Sequence, residues 1–198
     1  MKKTHLEFRQ SLKNKTILII GSNSTLAKEF FKIIDNTKFN IIKVNRKYLN
    51  FNESYNSLKL RKILDRFKPD IILNFIGKFS DNKSANRNIL LSNILPTWEI
   101  VKYFQFKKVK KKINIIILGS SSYKSPRKKY ILYAASKSGL NSLCKSAKEF
   151  FLKTNVSIKI YNPSTFGGKH LGNYVKKSNT DVNLVAKKIY KYINRNSN

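Results

Sequence analysis

Lys15–Phe30 reads KTILIIGSNSTLAKEF. Within it, Thr16–Ile20 is a short apolar run, mostly β-branched, that stops at a glycine. That is the pattern of a strand buried on both faces. From Ser24 onward apolar residues return at helical spacing, through STLAKEFFKIID. A buried strand that passes through glycine into a helix is the opening unit of a parallel α/β sheet.

The rest of the chain repeats the unit. Further strands are expected at Asn40–Val44 (NIIKV), Asp70–Phe75 (DIILNF), Ile113–Gly119 (INIIILG) and Val156–Asn162 (VSIKIYN). Helical spacing runs through SYNSLKLRKILDRF, NILLSNILPTWEIVKYF, YAASKSGLNSLCKSAKEFF and DVNLVAKKIYKYI. Pro96 falls inside the second of these, where proline removes a helix hydrogen bond, so a kink or break is expected there. Strands that are continuous apolar runs need cover on both sides. The expected fold is therefore α/β, a doubly wound parallel sheet in three layers, α/β/α. Residues 16–198 form its single domain, behind a basic extension over residues 1–15.

Composition narrows the function classes. The 198 residues suit one core. The single cysteine, Cys144, excludes an internal disulfide and fits a reducing compartment, the cytoplasm. No run approaches the ~20 apolar residues of a membrane span, and the first fifteen residues lack the apolar stretch of a signal peptide. His5 and His170 have no partners at ligand spacing, so no metal site is expected. Net charge is +31, from 41 basic and 10 acidic residues. A nucleic-acid partner is one reading of that charge. The other is codon bias, because the excess is in Lys, Asn, Ile, Phe and Tyr and the basic residues are scattered. The dense run KKVKKK, Lys107–Lys112, sits between a helix and a strand and reads as a solvated loop.

Three places carry chemistry. Gly21, at the end of the first strand, allows a tight turn and close approach to a pyrophosphate, with the following helix offering its N–H donors. Ser24 and Thr25 stand where a second glycine would fall in such a turn, and Ala27 where a third would. The second strand ends in Asn45-Arg46-Lys47. No acid is present there to hold two ribose hydroxyls, and the cations suit a 2′-phosphate. Tyr133 and Lys137 are one helical turn apart, and a nearby ammonium stabilises phenolate. Tyr55/Lys59 and Tyr103/Lys107 share that spacing. Only Tyr133/Lys137 follows a serine at a strand end, Ser120, thirteen residues upstream.

In order, GSNSTLA, NFIG (Asn74–Gly77), Asn93, Ser120, Tyr133 and Lys137 resemble the short-chain dehydrogenases/reductases, over roughly Thr16 to Asn194. The resemblance implies a Rossmann fold and hydride transfer between NADP(H), favoured over NAD(H), and a small carbonyl or alcohol substrate. It implies a catalytic Tyr133 as acid/base, with Lys137 lowering its pKa and holding the nicotinamide ribose. Ser120 would bind the substrate oxygen, with Ser121 second in register, and Asn93 would anchor a water linking Lys137 to solvent. The cofactor would lie against Gly21, Asn23, Ser24, Thr25 and Leu26 at its phosphates, and Arg46 at its ribose. Asn74, Ile76 and Gly77 would line its adenosine side, with Tyr133, Lys137, Pro163 and Thr165 completing the site. A homodimer or homotetramer is implied, with the Trp98 and Tyr133 helices as its face.

The sequence also departs from that family. Two turn glycines are replaced, Pro163-Ser164 stands where Pro-Gly is usual, and the substrate loop, final strand and C-terminal tail have no counterpart. KPD, Lys68–Asp70, is similar to the branch that acts on nucleotide sugars. The alternatives are thus a nucleotide-sugar reductase or epimerase in surface polysaccharide synthesis, or a cofactor-binding pseudoenzyme or regulator.

Overall fold

A computed structural model describes residues 15–51, 56–83, 85–125, 127–164 and 181–195. Five strands and five helices alternate in it. They are β1 (Lys15–Ile20), α1 (Thr25–Ile33), β2 (Phe39–Val44), α2 (Asn56–Phe67), β3 (Ile71–Asn74), α3 (Asn88–Gln105), β4 (Ile113–Leu118), α4 (Ile131–Phe150), β5 (Val156–Tyr161) and α5 (Val182–Arg195). All strand pairs are parallel, in the order β2-β1-β3-β4-β5. The chain runs outward from β1 to β2, then crosses β1 to continue with β3. That reversal opens a crevice beyond the C-terminal ends of β1 and β3, where doubly wound sheets bind ligands.

Strand alternation divides the core into two layers. Leu18, Ile20, Ile72, Ile115 and Ile117 pack under α2, α3 and α4, with Leu60, Ile100, Leu140 and Cys144. Ile17, Ile19, Ile71, Leu73 and Ile116 pack under α1 and α5, with Phe30, Val185 and Ile189. Both faces are covered, which is why the strands read as unbroken apolar runs. Each fully buried Ile or Leu contributes roughly 1.5–3 kcal/mol. No helix among the described residues is long and apolar enough to cross a membrane.

Two details differ from, or add to, the sequence reading. The helix through Pro96 does not break: α3 runs continuously from Asn88 to Gln105 with Pro96 buried. Proline removes one hydrogen bond, but Ile89, Ile100, Val101 and Phe104 anchor the helix to the core on both sides of it. The Lys-Pro-Asp run is a junction. Lys68 takes a left-handed φ of 41° and its N–H caps α2 through the Leu64 carbonyl, at 3.0 Å. Asp70 then accepts the Thr16 N–H at 2.8 Å, tying the start of β1 to that of β3.

Candidate active site

The crevice floor is the turn after β1. Gly21 has φ +83°, and a Cβ there would lie 2.9 Å from both the Phe75 carbonyl carbon and the Ile76 nitrogen. Glycine is therefore required twice, by its dihedral and by the approach of the β3 segment. Ser24 is the N-cap of α1, its hydroxyl accepting the Ala27 N–H at 3.2 Å. The serine that replaces a turn glycine thus fixes the helix start. Helix geometry leaves the first N–H groups, those of Thr25 and Leu26, without intrahelical partners. The Leu26 side chain is buried in the core, so only its backbone can serve a ligand. Asn23 is exposed, as are Arg46 and Lys47 in the turn after β2. Asn45 holds that turn by accepting the Tyr48 N–H at 3.2 Å on its side chain.

Asn74, at the end of β3, is a brace. Its buried amide donates to Thr97 Oγ1 at 3.0 Å and accepts the Ile76 N–H at 3.1 Å. It thereby bends the chain into Ile76-Gly77 beside Gly21. A Cβ on Gly77 would stand 3.4 Å from Lys137 Nζ, so glycine leaves the space beside that ammonium unfilled. The Gly21 turn and the Gly77 gap lie next to each other at the ends of β1 and β3, a cradle beside the Thr25 and Leu26 N–H groups.

Tyr133, Lys137 and Ser120 meet at the end of β4. The Ser120 hydroxyl is the hydrogen-bond neighbour of the Tyr133 phenol. It also accepts the Ser122 N–H at 3.2 Å, which leaves the Ser120 proton available to donate. Ser120, rather than Ser121, therefore faces the phenol. Burial raises the Tyr133 pKa above the ordinary tyrosine value and the Ser120 hydrogen bond acts against it, so the lowering by Lys137 that the resemblance implies is not what this site shows. Lys137 is 2% exposed, with Nζ 5.8 Å from the Tyr133 ring centroid and 3.3 Å from the Leu118 carbonyl oxygen. Burial lowers its pKa from 10.5 to about 8. Its helix neighbour Cys144 is buried too, and its thiol is pushed up to about 12.

A polar frame holds these groups. Asn93, 1% exposed, accepts the Lys78 N–H at 2.7 Å and donates to the Lys78 carbonyl at 3.0 Å and to Ser136 Oγ at 2.8 Å. Its side chain clamps the loop after β3 to α4, one residue from Lys137. At the other edge, Asn162 accepts the Ser120 N–H at 3.0 Å and donates to Asn141 at 3.0 Å. A Cβ on Gly119 would overlap the Asn162 side chain, 1.8 Å from its oxygen. Pro163 is buried, and its carbonyl accepts the Ser121 N–H at 2.9 Å. Thr165 lies outside the described residues. The Phe79 ring meets the Tyr133 ring edge-on at 5.0 Å and the Tyr130 ring at 5.4 Å.

Sequence reasoning missed Thr97, Ser136, Asn141 and Asn162. Each acts through a partner 21 or more residues away. Tyr103/Lys107, with the same spacing as Tyr133/Lys137, does form a contact, Nζ to Oη at 2.7 Å. Both groups share Asp65, on the exposed junction of α2 and α3. Lys107 and Lys111 of the basic loop are thus paired, with Asp65 and Asp70 respectively.

No family model matches the sequence, and no curated protein matches it either. Solved structures do resemble it in fold. A short-chain dehydrogenase from Burkholderia cenocepacia J2315, in complex with NADP, aligns with a TM-score of 0.74 at 11% identity, covering 93% of this chain and 86% of that one. 4-Hydroxyisoleucine dehydrogenase complexed with NADH aligns at 0.73 and 20% identity, covering 91% and 90%. dTDP-4-dehydrorhamnose reductase from Bacillus anthracis, in complex with NADP, aligns at 0.65 and 14%, covering 91% and 71%. The chain has the Rossmann fold of the short-chain dehydrogenases/reductases.

Proposed function

We propose that this protein is an NADP(H)-dependent reductase or dehydrogenase of the short-chain type, acting on a small carbonyl or alcohol. The observation that carries this reading is the meeting of Tyr133, Lys137 and Ser120 at the end of β4, beside the Gly21–Gly77 cradle. NADP(H), when bound, supplies or accepts the hydride. In reduction, the Tyr133 phenol gives its proton to the carbonyl oxygen. Ser120 donates a hydrogen bond to that oxygen as negative charge develops. The Lys137 ammonium stabilises the phenolate left behind. Burial keeps the phenol protonated at neutral pH, the state an acid catalyst needs. Asn93 and Asn162 hold the Lys78 loop and the Ser120 backbone in place. Arg46 and Lys47, with no acid beside Asn45, support NADP(H) over NAD(H).

Titration with NADPH and NADH at low and moderate salt tests the cofactor half. Tighter NADPH binding that survives moderate salt is expected, and absence of binding by either would overturn the reading. Tyr133→Phe tests the chemistry: it should abolish turnover and keep nucleotide affinity within about twofold. Undiminished turnover in that variant would remove Tyr133 from the mechanism.

A nucleotide-sugar substrate is a second reading, favoured by the likeness to dTDP-4-dehydrorhamnose reductase. The Lys-Pro-Asp run adds nothing to it, because Asp70 works as a strand brace. Leu90 and Trp98, exposed on α3, support a homodimer face there.

A further inference from the structure

The helix that carries Tyr133 and Lys137 has no cap of its own. Tyr130 is its N-cap residue and makes no side-chain capping bond. The missing acceptor comes from a residue far away in sequence. Asn82 Oδ1 accepts the Ile131 N–H, the first of α4, at 2.8 Å across 49 residues. Its Nδ2 donates to the Lys128 carbonyl at 2.7 Å, and its own N–H donates to the Lys129 carbonyl at 3.1 Å. One side chain and its backbone thus make three bonds to the segment that enters the helix.

In the same loop, four residues before Asn82, stands Lys78, where Asn93 makes two bonds. Between these anchors lies Phe79, edge-on to both Tyr130 and Tyr133. Tyr133 is two residues past Ile131, within the first turn of α4, where a helix frays most readily without a cap. Asn93, through Ser136, fixes the helix one turn further on.

We infer that Asn82 is a positioning residue for Tyr133, capping the catalytic helix from the β3–α3 loop and holding Phe79 against the phenol ring. The role rests on the function proposed above only in what Tyr133 then does. The β3–α3 loop and the acid/base are thereby one mechanical unit.

The test compares Asn82→Ala with Asn82→Asp. Aspartate keeps an acceptor for the Ile131 N–H and loses the donor to Lys128. Two readouts need no turnover: hydrogen exchange of the Ile131–Ala134 amides, and the ring-carbon resonance of ¹³C-labelled Tyr133, assigned by its loss in Tyr133→Phe. Asn82→Ala should raise exchange at these amides about five- to tenfold, the loss of one cap, and move the resonance. Asn82→Asp should restore most of both. Turnover should fall in Asn82→Ala by about the same factor, with NADPH affinity within twofold.

Wild-type exchange and an unmoved resonance in Asn82→Ala would overturn the inference. So would an equal rise in exchange at the amides of the central strands in Asn82→Ala, which marks a general loss of stability. A chain that reduces no carbonyl at all would overturn the proposed function instead, because the exchange and resonance readouts stand without it.

Discussion

Replacing Lys137 with methionine should stabilise the protein while removing its activity. The ammonium is buried, and no carboxylate is among the causes of its shift. A pKa lowered from 10.5 to about 8 means that the folded chain holds this proton less tightly than the unfolded chain. Between those values the unfolded state binds more protons, so wild-type stability rises with pH through the window. Below about pH 8 the full cost is present. At about 1.4 kcal/mol per pH unit it comes to about 3 kcal/mol. Lys137→Met has no such cost.

Its stability advantage should therefore be largest at pH 7 and shrink by about 3 kcal/mol as the pH reaches 10.5. Loss of the bond to the Leu118 carbonyl and the change in packing add an offset that does not vary with pH. The Cys144 thiol and the Lys137 ammonium influence each other's titration, so the comparison is made in a Cys144→Ala background, where no thiol titrates beside the site. Urea unfolding of the nucleotide-free proteins at pH 7, 8, 9 and 10.5 gives the difference directly. A difference that stays constant across those four values would refute the reasoning, whatever its sign.

Three further outcomes are expected. Gly21→Ala should cost about 1–3 kcal/mol, from its φ of +83° and the contact with the Phe75 and Ile76 backbone, and should weaken nucleotide binding; wild-type melting and affinity would contradict the cradle. Carbonyl reduction should fall as the pH rises past about 8, where Lys137 gives up the proton that stabilises the Tyr133 phenolate; a profile flat to pH 10 would remove that role. Asp65→Asn breaks the exposed Tyr103–Lys107–Asp65 cluster and should change stability by less than about 1 kcal/mol and turnover not at all; a large loss of turnover would mean that the second tyrosine–lysine pair matters to function.

The sequence by itself determined the alternation of strands and helices. Apart from Thr16 and Asn114, the runs Thr16–Ile20 and Ile113–Ile117 are apolar on both faces, and only a sheet covered on both sides can bury them. It also singled out Tyr133/Lys137 from the other pairs, because Ser120 lies at a strand end at the right distance. The tertiary structure decided what spacing cannot encode. Pro96 is carried inside an intact helix because core contacts on both sides outweigh one lost hydrogen bond. Asp70 is a brace between strand starts, Ser24 a helix cap and Asn93 a clamp on Lys78, roles set by which backbone groups come within 3.2 Å. Asn82 and Asn162 were invisible in the sequence because their partners are 49 and 42 residues away. Hydrogen bonds are short-ranged, so a polar residue's partner is settled only when parallel crossovers bring distant loops to the same end of the sheet.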